Sequence, residues 1–132
     1  MKKILMNPIV FLKNVNISQN NTSILSNINL SVNKGEFIYF IGKTGVGKSS
    51  LLRILYGDII VKKGEARILD TNLTKLKDKE IPFLRRKLGV VFQDFKLLPN
   101  KTIKKNLEFV LRATEWNDSD KINSRIIEVL KK

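Results

Sequence analysis

Apolar positions change their spacing several times along this chain, and each change marks an element. From Ile9 to Ile17 they fall on odd positions, Ile9, Phe11, Val15 and Ile17, broken only by Lys13, which predicts a half-buried strand. Polar residues from Ser18 to Ser23 read as a turn. A second strand follows from Ile24 to Val32, with Ile28, Leu30 and Val32 on one face and Asn27, Asn29 and Ser31 on the other. Asn33-Lys34-Gly35 is a tight-turn signal. The uninterrupted run Phe37-Ile38-Tyr39-Phe40-Ile41 then predicts a strand buried on both faces, with Tyr39 in the core.

Helical spacing begins after a glycine-rich stretch. A helix from Lys48 to Tyr56 is expected, with an inward stripe of Leu51, Leu52 and Leu55 and a stop at Gly57. Gly64 to Leu69 reads as a short strand, and Asp70 to Lys79 as a polar connection with a helical turn. Pro82 suits the start of a helix carrying Phe83, Leu84 and Leu88, with Arg85, Arg86 and Lys87 partly outward; that basic triplet suits either phosphate contacts or a solvated face. Leu88 to Phe92 predicts another short buried strand. Thr102 is placed to cap a helix with Ile103, Leu107, Val110 and Leu111 on one side, and a last helix begins near Asp118-Ser119 with Ile122, Ile126, Val129 and Leu130 on its apolar face. The pattern predicts an α/β fold with a small antiparallel β unit at its start and two helices at its end that each need a partner surface.

The stretch between the apolar run and the first helix reads Gly42-Lys43-Thr44-Gly45-Val46-Gly47-Lys48-Ser49-Ser50. It fits G-x-x-x-x-G-K-[S/T], in which a loop wraps a polyphosphate between a strand and the first turn of a helix. Glycines at 42, 45 and 47 let the backbone turn tightly enough to aim successive N–H groups at anionic oxygens. Lys48 can then reach the β and γ phosphates, and the Ser49 hydroxyl is placed to hold Mg²⁺. A glycine-rich surface turn is the plainer alternative, but the strand before and helix after supply the context that the motif requires.

Composition narrows the chemistry. The 132 residues suit one domain with one core. Cysteine and histidine are both absent, which excludes disulfides, thiolate metal sites and any imidazole base or ligand from these residues. A formal net charge of +13 favours phosphate-rich partners of any kind, although many of the lysines would equally form a solvated face. A nucleic-acid module would need a groove-reading or base-stacking element, and none is visible, so nucleic acid is not expected as a partner. No apolar stretch approaches the roughly 18 residues that span a bilayer. Met1 to Met6 reads as a frayed end leading into the first strand, and a cytoplasmic protein is expected.

Three stretches resemble the ATP-binding subunit of ABC transporters, most closely its FtsE-type cell-division branch: Gly35 to Leu52, Leu55 to Asp58, and Ile81 to Pro99 followed by Lys101 to Leu107. The resemblance implies a P-loop NTPase fold of the ABC-ATPase type. It implies ATP and Mg²⁺ as cofactors, with Gly42 to Ser50 holding nucleotide, Lys48 and Gln93 in catalytic positions, and Ser49 and Gln93 near the metal. Gln93 would be the glutamine that links the nucleotide site to the membrane partner, although an ordinary turn residue after a strand fits it as well. In the same terms, residues 1–35 are the antiparallel β unit, 36–93 part of the P-loop core, and 94–132 the start of the helical subdomain. Implied partners are a second copy of the ATP-binding subunit and an integral membrane subunit of the FtsX type, with the protein peripheral on the inner face of the plasma membrane. ATPases of lipoprotein-releasing or macrolide-export systems share this general layout and are the alternative.

Two departures from the family pattern stand out. The aromatic residue that stacks on adenine in many members would match a position near Gln19, where none occurs. The resemblance also stops inside the helical subdomain, before the signature motif, the acidic strand with its following glutamate, and the switch histidine. A fragment or truncated reading frame is therefore expected, binding nucleotide weakly, hydrolysing it negligibly, and leaving Ile38, Phe40, Val91 and the last two helices under-covered.

Overall fold

The structure, a computed structural model, describes residues 7–19 and 22–132. Two compact units divide between Leu88 and Gly89, and each is described by itself.

The first unit is built on a four-stranded antiparallel sheet in the order β2-β1-β3-β4. β1 (Val10–Gln19) pairs with β2 (Thr22–Val32) on one edge and β3 (Lys63–Ile68) on the other; β4 (Thr71–Asn72) extends β3. The hairpin places Leu12 opposite Leu30 and Ile17 opposite Leu25. Ser18, Gln19, Thr22 and Ser23 continue the ladder rather than forming the expected turn, whose tip at 20–21 lies outside the described residues, as does the expected frayed start at 1–6.

The expected odd-numbered face of β1 is half right. Val15 and Ile17 are buried, but upstream the buried residues are Val10 and Leu12, one position out of phase. The ladder slips between Leu12 and Val15, where Asn14 takes a left-handed φ of 52°. An extra residue at a bulge moves every later side chain to the other face, so Lys13 marks a change of phase and not a gap in one stripe. Asparagines tie the irregularity together: Asn14 N–H donates to Asn29 Oδ1 at 3.0 Å, and Asn27 N–H, itself at φ 55°, donates to Asn16 Oδ1 at 2.7 Å.

Helix α1 (Lys48–Leu55) turns Leu51 and Ile54 into the core, with Leu55 half-buried beside them. Leu52, expected inward, faces solvent because the buried positions follow the i, i+3, i+4 row that starts at Leu51. Gly57, at φ 71°, ends the helix: its N–H reaches Ile54 O at 3.1 Å, and Asp58 N–H reaches Arg53 O at 2.8 Å. Arg53 then pairs with Asp58 at 2.6 Å. A 3-10 turn at Asp78–Glu80 leads into α2 (Ile81–Arg85), with Pro82 in its first turn. This helix stops before Leu88, and it buries Leu84 while Phe83 stays exposed under the Arg86 guanidinium.

Two expected buried strands do not form. Residues 37–41 have no ladder partner, and Phe37, Tyr39 and Ile41 are 79%, 77% and 92% exposed; only Phe40 rests against the core. Residues 88–92, which span the junction between the two units, likewise carry no strand pairing, with Val91 at 90% exposure. An apolar run becomes a strand only where another strand satisfies its N–H and C=O groups, and no described segment does so here. Tyr39 is therefore not a core residue; its ring meets Phe37 edge to face at 4.9 Å.

In the second unit α3 (Ile103–Ala113) packs against α4 (Ser119–Leu130), burying Ile122 and Ile126. The predicted Thr102 cap forms, its Oγ1 accepting Lys105 N–H at 3.2 Å, and at the expected start of α4 Asp118 acts as the cap, its Oδ1 accepting Asp120 N–H at 2.9 Å. Ile103, Val110, Val129 and Leu130, expected on inward faces, are exposed because two short helices cover only the seam between them.

Candidate functional site

The glycine-rich loop sits between the unpaired segment 37–41 and the first turn of α1. A turn at Asn33–Glu36 delivers the chain to that segment: Gly35 adopts φ 86°, and the Glu36 carboxylate accepts Asn33 N–H at 2.7 Å and Asn33 Nδ2–H at 3.0 Å. Those two bonds hold the Glu36 carboxyl below its ordinary value.

Within the loop Gly45 and Gly47 take φ of 84° and 95°, the left-handed region that glycine enters without penalty. Gly47 is restricted a second time. A β-carbon there would lie 2.8 Å from Leu25 Cγ, so the loop is seated directly on strand β2. Gly47 is also the N-terminal cap of α1, and it offers no side-chain acceptor; no acidic residue lies in the first turn. Leu51 N–H is the first to close back on a loop carbonyl, Gly47 O at 2.9 Å, which leaves the amides of Lys48, Ser49 and Ser50 as the opening N–H groups of the helix. A helix N-terminus with neither side-chain cap nor carboxylate keeps its partial positive charge available to an external anion.

Lys48 folds back over the loop. Its Nζ donates to Gly42 O at 2.8 Å and to Lys43 O at 2.7 Å, closing a ring from the first residue of α1 to the start of the loop. Lys43, Thr44, Gly45 and Val46 form the exposed rim; Ser49 is exposed and Ser50 half-buried. The Ser49 hydroxyl makes no hydrogen bond among the described residues, which leaves it able to ligate a cation. Glycine conformations, open amides and an ammonium held at the mouth together fit a polyphosphate: the donor set is positive throughout and contains no competing acid.

Gln93 belongs to the second unit, exposed at the start of a tight turn. In that turn Phe95 N–H meets Phe92 O at 3.1 Å, Lys96 N–H meets Asp94 O at 2.6 Å, and Lys96 Nζ pairs with Asp94 at 2.6 Å, which holds that carboxyl below its ordinary value. The structure thus brings Gly42 to Ser50 together in one loop and places Gln93 in a separate unit. Gln19, near the position expected for an adenine-stacking ring, lies 3.5 Å from Arg53 Nη1 through its Oε1. The Asn33–Glu36 clasp and the Leu25 seat escaped the sequence reading; the Asn-x-x-Glu spacing was a visible signal for the first, whereas nothing local announced the second.

Residues 25–132 match the ABC transporter family. The cell division ATP-binding protein FtsE of Streptococcus pneumoniae is 42% identical over 111 residues, which cover 84% of this chain and 48% of that protein. The methionine import ATP-binding protein MetN of Helicobacter pylori is 38% identical over 123 residues, covering 92% of this chain and 37% of that protein. Among solved structures, a dimeric ATP-binding cassette in a post-hydrolysis state bound to ADP and Pi superposes with a TM-score of 0.78 at 32% identity, over 92% of this chain and 56% of that one. The chain spans about half the length of the cell-division relative, 48%. No described helix is long and apolar enough to cross a membrane. With a loop of this geometry, a family match over residues 25–132 and a cassette fold at that TM-score, the chain belongs to the ABC transporter family and carries part of its ATP-binding domain.

Proposed function

We propose that the chain supplies the phosphate-binding part of an ATP site in an ABC ATPase of the cell-division type, and that the full-length protein couples ATP binding and hydrolysis to a membrane partner of the FtsX type. The observation that carries the nucleotide reading is the Gly42–Ser50 loop, with left-handed Gly45 and Gly47, an uncapped α1 and Lys48 at its mouth. The FtsE relative at 42% identity supports the cell-division branch. The MetN relative, matched over 92% of this chain, supports a second reading as the ATPase of an importer.

Mg-ATP, when bound, supplies the scissile β–γ phosphoanhydride bond and its charge. The loop amides of residues 43–49 would hold the phosphate oxygens, Lys48 Nζ, now on Gly42 O and Lys43 O, would supply the ammonium charge beside them, and the Ser49 hydroxyl would be a ligand to the cation. For Gln93 the proposal rests on the family resemblance alone, which gives it the role of linking the nucleotide site to the membrane subunit. These residues contain no recognisable general base, so binding without sustained hydrolysis is the expected behaviour of the 132-residue chain. On this reading residues 1–35 belong to the antiparallel β unit, which β3 and β4 extend from within the 36–93 part of the P-loop core, and residues 94–132 are the start of the helical subdomain. Two copies dimerise, and the complex works at the inner face of the plasma membrane.

Titration with a fluorescent ATP analogue and Mg²⁺ tests the reading. Saturable binding that Lys48→Ala weakens by about tenfold or more is expected, because charge-assisted contacts to phosphate are the strong ones. Binding indifferent to Lys48→Ala, or none even in a full-length version, would refute it. Co-purification of that version with an FtsX-type subunit, and not with an importer's permease, separates the two branches.

A further inference from the structure

Asn106 lies in the first turn of α3 with its carboxamide turned back on the chain that leads into the helix. Its Oδ1 accepts Leu98 N–H at 2.7 Å, while Nδ2 donates to Leu98 O at 3.2 Å, Thr102 O at 3.1 Å and Lys101 O at 3.3 Å. A carboxamide has two N–H protons for those three carbonyls, so one proton is shared. The two contacts to Leu98 engage both of its peptide groups, as a neighbouring strand would. Capping does not explain the arrangement, since Thr102 already caps α3 through Lys105 N–H.

What the contact holds is a strained turn. Phe95 and Lys96 are consecutive non-glycine residues in the left-handed region, at φ 54° and 49°, and they directly follow Gln93-Asp94. Such a conformation persists only where the surroundings over-determine it. On the near side the turn closes through Phe92 O and Asp94; on the far side Asn106 anchors Leu98. Phe95 and Leu97 stand exposed between the two anchors, so apolar burial does not hold the segment in place.

We propose that Asn106 is a positioning residue for Gln93: it fastens Leu98 to α3 and so keeps the Gln93–Lys96 turn in one strained conformation tied to that helix. The link to Gln93's role rests on the function proposed above, whereas the fastening does not. The test is amide hydrogen exchange on the 132-residue chain, as wild type, Asn106→Ala and Asn106→Asp. Without nucleotide, exchange at the Leu98 and Lys101 amides should rise about tenfold or more in Asn106→Ala while α4 is unchanged. Asn106→Asp should be no better than Ala, since it keeps the acceptor for Leu98 N–H but sets a carboxylate against three carbonyls. Unchanged exchange at Leu98, an equal rise throughout α3 and α4, or a wild-type profile in Asn106→Asp would overturn the fastening. With Mg-ATP, protection at 93–98 should change in wild type and not in Asn106→Ala. Protection appearing at 42–50 with 93–98 responding alike in both proteins would overturn the positioning role; no nucleotide effect at any residue of wild type, repeated in a full-length version, refutes the phosphate-loop reading instead and leaves the nucleotide-free result to decide the fastening.

Discussion

Gly47 answers to three demands at once. It turns the loop at φ 95°, caps α1 without an acceptor of its own, and lets the loop rest on Leu25. Gly47→Ala should therefore destabilise the fold by about 1–3 kcal/mol in urea titration, combining the left-handed penalty with a clash against Leu25. It should also weaken nucleotide binding, because the opening amides of α1 move with the loop. Glu36 makes a pH prediction. Its carboxyl is held below the ordinary 4.5 by Asn33, so the folded chain binds fewer protons than the unfolded one in the window beneath that value. The contribution is complete above the unfolded pKa and is lost as pH falls through the lower folded one. Urea midpoints should drop as pH falls below the ordinary carboxylate range, and Glu36→Ala should flatten part of that drop; Asp94 and Glu128, also held low by Lys96 and Arg125, keep the rest.

Elements differ in how far their own residues specify them. The hairpin, α1, α3 and α4 were legible because their signals are local: alternation in β2, a glycine stop at Gly57, the cap at Thr102 and the helix start at Asp118-Ser119. Thr102→Ala should cost about 1 kcal/mol, the ordinary value of a lost N-cap, read as loss of helical circular dichroism in urea. Ile126→Ala should cost about 2 kcal/mol or more, since Ile126 is one of the two buried residues of α4. The face of β1 was misread because alternation cannot reveal a bulge until the partner strand shows where the register slips. Leu52 was misassigned for a related reason: a helix with three neighbouring leucines offers more than one stripe, and the sheet chooses.

At the scale of the molecule, exposed apolar surface governs behaviour. Residues 37–41 and Val91 present large side chains to solvent, and the outer faces of α3 and α4 add Ile103, Val110 and Leu130. Patches of this kind drive association. Light scattering should find particle size rising with concentration, and a cooperative melt of monodisperse monomer would contradict this. The local instructions for the glycine-rich loop, the turn at Asn33 to Gly35, the stop at Gly57 and the Thr102 cap were legible in the sequence, because each involves residues only a few positions apart. Whether an apolar run becomes a strand, which phase of an alternating stretch turns inward, and what Gly47 rests against were settled only by tertiary structure, because ladder hydrogen bonds and close packing need a second segment brought from far along the chain.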